Sequence, residues 1–452
     1  MEKVGNRGFL SELFIAALPI TLQNLVAFLV TFSSFIMVGR IGGFALGAIY
    51  AAGQIQLILQ ILCTGIESAL AVTVSKAYGE NNKPLARRFT EIGVVLSALL
   101  GVLITLICIS APEFLISLFI REKSEISVAV EYLKIFAFSF PFYSISHALF
   151  ASMKATDKER PSLYISLSAL VINISLGAIL IFGFLGFVRL EAKGSAIAIL
   201  VARAFEFFLA LTYLLFKSQR ESKKEKTDKE RYKDSKAIAK FISHGGPLIL
   251  LQVVWGINVF AGSYILRGLP HQNIAASLGV ANTVNNLAFV FSGGLSLAGA
   301  ITLSKRRGAN KYLDDPRKII GRLELFFVFL GAVLSVSLFL LKGAVLSFYN
   351  MSEDSYKIGN ELLSALGLTL LFTPYATGTF YGILRGEGKA NFILTVEALL
   401  VFLVNLPLGY LFSKLSFGIG TVFFVLKIDQ ILKCPIAFLK MRQSLIHSKS
   451  SR

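Results

Sequence analysis

The chain has 452 residues, of which 55% are hydrophobic and only 16% charged, with a mean hydropathy of +0.69. That balance excludes an ordinary soluble protein, whose charged share is about 25%, and places the chain in a lipid bilayer as an all-α membrane protein. A net charge of +18 raises nucleic acid as a partner, but the bases lie in short loops between apolar stretches of spanning length, as in a polytopic protein, so no nucleic acid is expected.

The N-terminal stretch MEKVGNRGFLSELF runs straight into an apolar segment near Leu10 without the small-residue cleavage site of a leader peptide, so no cleaved segment is expected. With about 20 apolar residues needed per crossing, twelve transmembrane helices are predicted: 10–38, 44–74, 92–111, 128–149, 162–184 and 195–216, then 246–266, 275–303, 323–349, 361–384, 391–412 and 416–439. Between the sixth and seventh lies Lys217–Lys240, with ten Lys/Arg against five Asp/Glu, too polar to enter lipid and read as a solvated linker or a short surface helix. The expected organisation is an N-lobe over 1–216, a basic cytoplasmic linker over 217–240, a C-lobe over 241–440 and a cytoplasmic tail over 441–452. With the N-terminus cytoplasmic, inside segments hold 34 Lys/Arg and outside segments ten, with Arg203 left within a span. That asymmetry orients both termini and the linker toward the cytoplasm of a cell (plasma or inner) membrane.

The two halves echo each other. Pro19-Ile-Thr-Leu-Gln23 and Pro247-Leu-Ile-Leu-Leu-Gln252 open their first spans; Met153-Lys154-Ala-Thr-Asp-Lys158 and Leu384-Arg385-Gly-Glu-Gly-Lys389 follow their fourth; Asn173/Gly177 and Asn405/Gly409 lie four apart in their fifth. Six spans per half bring each half back to its starting side, so the repeats are parallel and pseudo-symmetric, and a cavity between two six-helix lobes is the expected place for substrate.

On these residues the chain resembles the multidrug and toxic compound extrusion family, within the superfamily that also holds lipid-linked oligosaccharide flippases. Further motifs that carry the resemblance are Ile36-Met-Val-Gly-Arg40-Ile-Gly-Gly, Gly65-Ile-Glu-Ser-Ala-Leu ahead of Ser75-Lys-Ala-Tyr-Gly79, Lys193-Gly194-Ser-Ala-Ile-Ala, and Gly382-Ile-Leu-Arg385-Gly386-Glu-Gly388. The resemblance implies an exporter that alternates between inward-open and outward-open states, driven by a proton or sodium gradient. It also implies four intramembrane acids, but Ser34, Gly177, Trp255 and Pro374 stand at those positions here, so the family's usual ion sites do not transfer.

An ionisable side chain at the bilayer centre costs about 2.5–3.5 kcal/mol on insertion scales, which makes those present functional candidates. Glu67, deep in GIESALAV, is the foremost ion-binding candidate, because a desolvated carboxyl poised to exchange a proton suits a coupled carrier. Arg203 and Glu206, one turn apart, read as a mutually neutralised pair; Glu397 lacks a charged neighbour in its own helix, and Lys427/Asp429 read as a pair near the inner surface. Among the uncharged polar residues of the spans, Asn24, Ser34 and Asn173 are substrate or ion-site candidates, the remainder serving to tie helices together. Pro19 is the hinge candidate, and Pro141, Pro374 and Pro407 are expected to bend their spans. Cys63, Cys108 and Cys434 are single and apolar in setting, and His147 reads as a packing group.

No Walker A loop, HExxH, CxxC or GxSxG occurs, so no catalytic or metal-ligating set and no cofactor beyond a coupling H+ or Na+ is expected. The expected function is a secondary active exporter of small amphipathic organic compounds, monomeric in the lipid bilayer. Two alternatives are a lipid-linked oligosaccharide flippase, which would use Arg203 in a basic cavity, and a membrane-embedded lipid-modifying enzyme with its chemistry near His147 or Glu67.

Overall fold

The computed structural model of the protein describes residues 8–39, 43–119, 123–224, 234–269, 274–310, 316–348 and 353–450, and these residues contain helices and no strand. In chain order the helices are α1 (Phe9–Gly39), α2 (Gly43–Gly79), α3 (Lys83–Ser110), α4 (Pro112–Ser117), α5 (Lys123–Ala137), α6 (Ser139–Ala155), α7 (Glu159–Phe182) and α8 (Glu191–Lys224). They continue as α9 (Asp234–Arg267), α10 (Ile274–Gly308), α11 (Pro316–Phe348), α12 (Glu353–Leu370), α13 (Thr373–Ala376), α14 (Ala390–Leu399), α15 (Leu406–Lys414), α16 (Ile419–Val425) and α17 (Asp429–Ser450). Two π-helical stretches, Thr377–Leu384 and Leu400–Asn405, follow α13 and α14.

Among the described residues nine helices are long and apolar enough to cross a membrane, and the bent pairs α5–α6 (44°) and α12–α13 with its π-helical continuation (46°) bring the number to eleven. The twelfth expected span, 416–439, falls on α16 and α17, which are separated by a turn holding Lys427, and Asp429 and Lys433 lie on α17, so length and composition alone do not count it. α8 runs on to Lys224 and α9 begins at Asp234, so both ends of the expected linker are helical; 225–233 lie outside the described residues. Likewise α17 continues through the expected tail, where Met441 is buried and Arg442 pairs with Glu324 at 3.1 Å.

Packing divides the chain into two compact units, Leu22–Ile249 and Met1–Thr21 with Leu250–Arg452. The division falls inside α1 and α9 rather than at the polar linker, each helix contributing its opening turns to one unit and the remainder to the other.

Helix α3 shows why these segments need lipid. Val95, Leu99, Val102 and Leu106 form an outward stripe, with Leu99 63% exposed, whereas Gly93, Ser97, Gly101, Thr105 and Cys108 are buried. Water would invert that arrangement; in hydrocarbon the large side chains face the solvent and the small ones let helices approach. A Cβ at Gly101 would collide with the backbone at Pro141 and with Ser144, so the glycine is what admits α6 to that distance.

The bend at Pro141 follows from the same contact. Proline lacks the N–H that would bond the carbonyl four residues back, Ala137, and its ring crowds that oxygen. Thr105 of α3 offers a replacement donor, its hydroxyl lying 2.8 Å from the Ala137 carbonyl and 2.8 Å from the Gly101 carbonyl of its own helix, between which its one proton is shared. In the other unit Pro374 follows the corresponding break after Leu370, and Pro407 follows the second π-helical stretch.

The internal repeat is visible in the turns after these bent spans. Lys158 N–H bonds the Met153 carbonyl at 2.8 Å and Lys389 N–H bonds the Leu384 carbonyl at 3.0 Å, each closing the helix around a left-handed residue, Asp157 (φ 58°) or Gly388 (φ 77°). The 6→1 bond and positive φ define the same C-cap in both halves. Lys154 and Arg385, loop residues by sequence, sit before these caps and are each only 6% exposed.

Candidate functional site

In the unit Leu22–Ile249, α2, α6 and α8 bring one ionisable cluster together. Glu67 on α2 meets Nδ1 of His147 on α6 through its Oε1. One turn back on α6, the Tyr143 ring lies 4.1 Å from the imidazole, centroid to centroid, and the guanidinium of Arg203 on α8 lies over the same tyrosine at 5.0 Å. Arg203 Nη1 bonds Glu206 Oε2 at 2.7 Å, the i,i+3 spacing placing both heads on one face. Lys154, at the end of α6, is close enough to Glu67 and Glu206 to interact electrostatically with both. The small faces of the three helices allow this, since Ala69, Ala148, Ala151 and Ala202 are all buried at or below 2% exposure.

The cluster is graded in accessibility. The Glu67 and His147 side chains are 15% and 19% exposed, whereas Arg203 and Glu206 are 5% and 3% exposed. The first pair is thus the less buried of the two, and the second is a sealed counterion pair whose breaking would leave a buried charge uncompensated. By sequence Glu67 and Arg203–Glu206 are separate features and His147 a packing group; the fold corrects this by joining all four through Tyr143.

A second, uncharged group ties α1 to α7. Asn173 Nδ2 lies 3.2 Å from Ser34 Oγ and 3.3 Å from the Val30 carbonyl, and the Ser34 hydroxyl donates to the same carbonyl at 3.2 Å. Gln23 bonds Ser166 at 3.1 Å and Ser162 at 3.2 Å earlier on the same helix pair. Ser34, one of the positions without the family's acids, thus bonds the Asn173 amide, whereas Gly177, another, faces Met37, whose methyl would lie 3.0 Å from a Cβ there. This group contains no carboxylate and holds the helices by amide and hydroxyl bonds. Asn24 is half-buried and stands outside it. α1 runs on through the buried Pro19 without a break.

In the other unit Glu397 on α14 is not alone. Lys433 of α17 places its ammonium 2.7 Å from Glu397 Oε2 and 2.6 Å from Asp429 Oδ2. Tyr381, from the first π-helical stretch, donates to Glu397 Oε2 at 2.7 Å, and Asn405, closing the second, donates to Asp429 Oδ1 at 2.9 Å. The expected Lys427/Asp429 pair is adjusted here: Lys427, in the turn ahead of α17, interacts with Asp429 electrostatically but bonds Asn285 at 3.3 Å, and the direct ion partner of Asp429 is Lys433, four residues on. That i,i+4 spacing was the signal in the sequence for Lys433.

Comparison with known proteins identifies the framework. The MatE family model matches residues 19–179 and 233–411, most of both halves. The chain belongs to the MATE family of membrane transporters. Similar relatives are probable multidrug resistance protein YoeA of Bacillus subtilis strain 168, 22% identical over 87% of this chain and 85% of the relative, and multidrug resistance protein PmpM of Pseudomonas aeruginosa, 24% identical over 89% and 84%. The fold matches a MOP superfamily transporter from Pyrococcus furiosus at a TM-score of 0.85 (18% identity; 99% of this chain and 100% of the other). It also matches the Vibrio cholerae MATE transporter VcmN in its bent form at 0.80 (17% identity, 97% of each). The MATE assignment thus rests on the family match, and the solved structures agree with it in fold.

Proposed function

We propose that the chain is a proton-coupled MATE exporter of amphipathic organic compounds, working by alternating access as a monomer in the plasma or inner membrane with both termini cytoplasmic. The reading draws on the family, on the multidrug names of its relatives, and on the 34-to-ten distribution of Lys/Arg between alternate loops. One observation favours the proton over sodium: the Glu67 carboxylate is partnered by the imidazole Nδ1 of His147, a nitrogen able to donate or accept a proton, rather than by a set of oxygen ligands. A proton arriving at this pair removes its net negative charge. The change is felt through Tyr143 by Arg203 and directly by Lys154, and so reaches all three helices that build the cluster. The flippase alternative loses its main support, because Arg203 is closed off by Glu206 and lines no open basic surface.

Purified protein in proteoliposomes, given a proton gradient or a sodium gradient of equal size, tests this with fluorescent cationic dyes and a polyprenyl-phosphosugar lipid. Dye movement driven by the proton gradient is expected. Movement under sodium alone, or of the lipid alone, contradicts the proposal.

A further inference from the structure

The Glu397–Lys433–Asp429 cage has one unused position. Lys433 is fully buried and directs its ammonium at Glu397 Oε2, Asp429 Oδ2 and, at 3.3 Å, the Tyr381 hydroxyl, which accounts for its three protons. Asp429 accepts from Asn405 at Oδ1 and from Gln430 (2.6 Å) and Lys433 at Oδ2, so both of its oxygens are occupied as a carboxylate. Glu397 differs: Oε2 accepts from Tyr381 and Lys433, while Oε1, also buried, has no hydrogen-bond partner among the described residues. A buried carboxylate oxygen left unpaired is costly, and that cost is relieved when it carries a proton.

We propose that Glu397 is a second exchangeable-proton site of this transporter, filled at Oε1. It extends the reading of the chain as a proton-coupled exporter, which places the first site at Glu67. A proton from water bonds to Oε1, the carboxylate becomes a carboxylic acid, and Oε2, now the carbonyl oxygen, keeps accepting from Tyr381 and Lys433. On release the proton returns to water and no covalent bond other than O–H has changed. The charged and titratable groups facing the site are Lys433 and Asp429 from α17, Tyr381 with Arg385 over its ring at 5.4 Å, Lys427, which interacts electrostatically with Asp429, and Cys434 beside Lys433. Three cations, Lys433, Lys427 and Arg385, face two acids when Glu397 is ionised; protonating Glu397 alters the charge of the set while Lys433 keeps its bond to Asp429.

The setting suits a device rather than a static clamp. Tyr381, in the span before that of Glu397, and Asn405, further along Glu397's own span, both lie in π-helical stretches, a rare geometry that is frequent at functional sites. Weakening the hold of Glu397 on Tyr381 and Lys433 by neutralising it therefore acts on the least regular turns of two spans.

Infrared difference spectroscopy of the full chain in liposomes, stepped from alkaline to acid pH, reads the carboxylic-acid carbonyl band. The expected result is a component of that band that is present in wild type, persists in Glu67→Gln and is lost in Glu397→Gln, where the contribution of Glu67 remains. A band indifferent to Glu397→Gln overturns the proposal. Tyr381→Phe, which leaves Lys433 in place, guards against misfolding of the first variant: it is expected to displace the pH at which the band vanishes while leaving its amplitude, and no displacement overturns the assignment. Dye export by the same vesicles separates the two readings. Loss of the band in Glu397→Gln, in a protein that exports no dye under any gradient, supports the proton site and removes the exporter reading; a band that ignores Glu397→Gln in a competent exporter does the reverse.

Discussion

Side chains in the bilayer are held by mutual compensation, and Arg203–Glu206 shows it at its simplest. With side chains 5% and 3% exposed and one bond of 2.7 Å, the pair is a buried ion pair whose separate halves are untenable. Arg203→Met should lower stability by about 3–5 kcal/mol, because it strands the Glu206 carboxylate, whereas Arg203→Met with Glu206→Leu should recover most of that loss. Thermal unfolding in detergent checks both; equal losses in the single and double variants would show that the pair's geometry, not its charge balance, matters. This pair is legible in the sequence because its members share one helix. Lys433 as the partner of Glu397 and His147 as the partner of Glu67 are not, since those partners come from different helices and no spacing within one segment records them. Lys154 reads as a loop residue for a related reason, the cap at Asp157 lying just beyond it.

At the level of elements, prolines foretell where spans bend but not what repairs the bend. Pro141 and Pro374 sit just past the two breaks, as expected, and the π-helical stretches have no sequence signature beyond Pro407. The repair at Pro141 is the Thr105 hydroxyl on the Ala137 carbonyl. Thr105→Val should cost about 1–3 kcal/mol by leaving that carbonyl unpaired. In a Pro141→Ala background, where residue 141 regains its own N–H, the same substitution should cost much less. Denaturation of the four proteins as a double-mutant cycle gives the coupling directly, and additive losses would mean that the threonine does not stand in for the missing donor.

For the whole molecule, hydropathy and the twofold echo of the chain point to the family, the helical class and eleven of the spans, because these depend on composition and on motifs local to one segment. Where packing divides the chain is not legible: the polar tether marks the middle of the sequence, but α1 and α9 change allegiance within their apolar cores, at Thr21 and Ile249. The sites are half legible, Glu67, Arg203, Glu206, Asn173 and Glu397 being marked by their rarity in spans, and their partners being supplied by tertiary structure. The proposed function converges on Glu67, the less buried acid of the first cluster. Dye efflux driven by a proton gradient in proteoliposomes, compared between wild type and Glu67→Gln at matched reconstitution, tests it most directly. The expected result is a loss of gradient-driven efflux on a variant that still folds and inserts; efflux by Glu67→Gln at the wild-type rate and with the wild-type dependence on the gradient would contradict it.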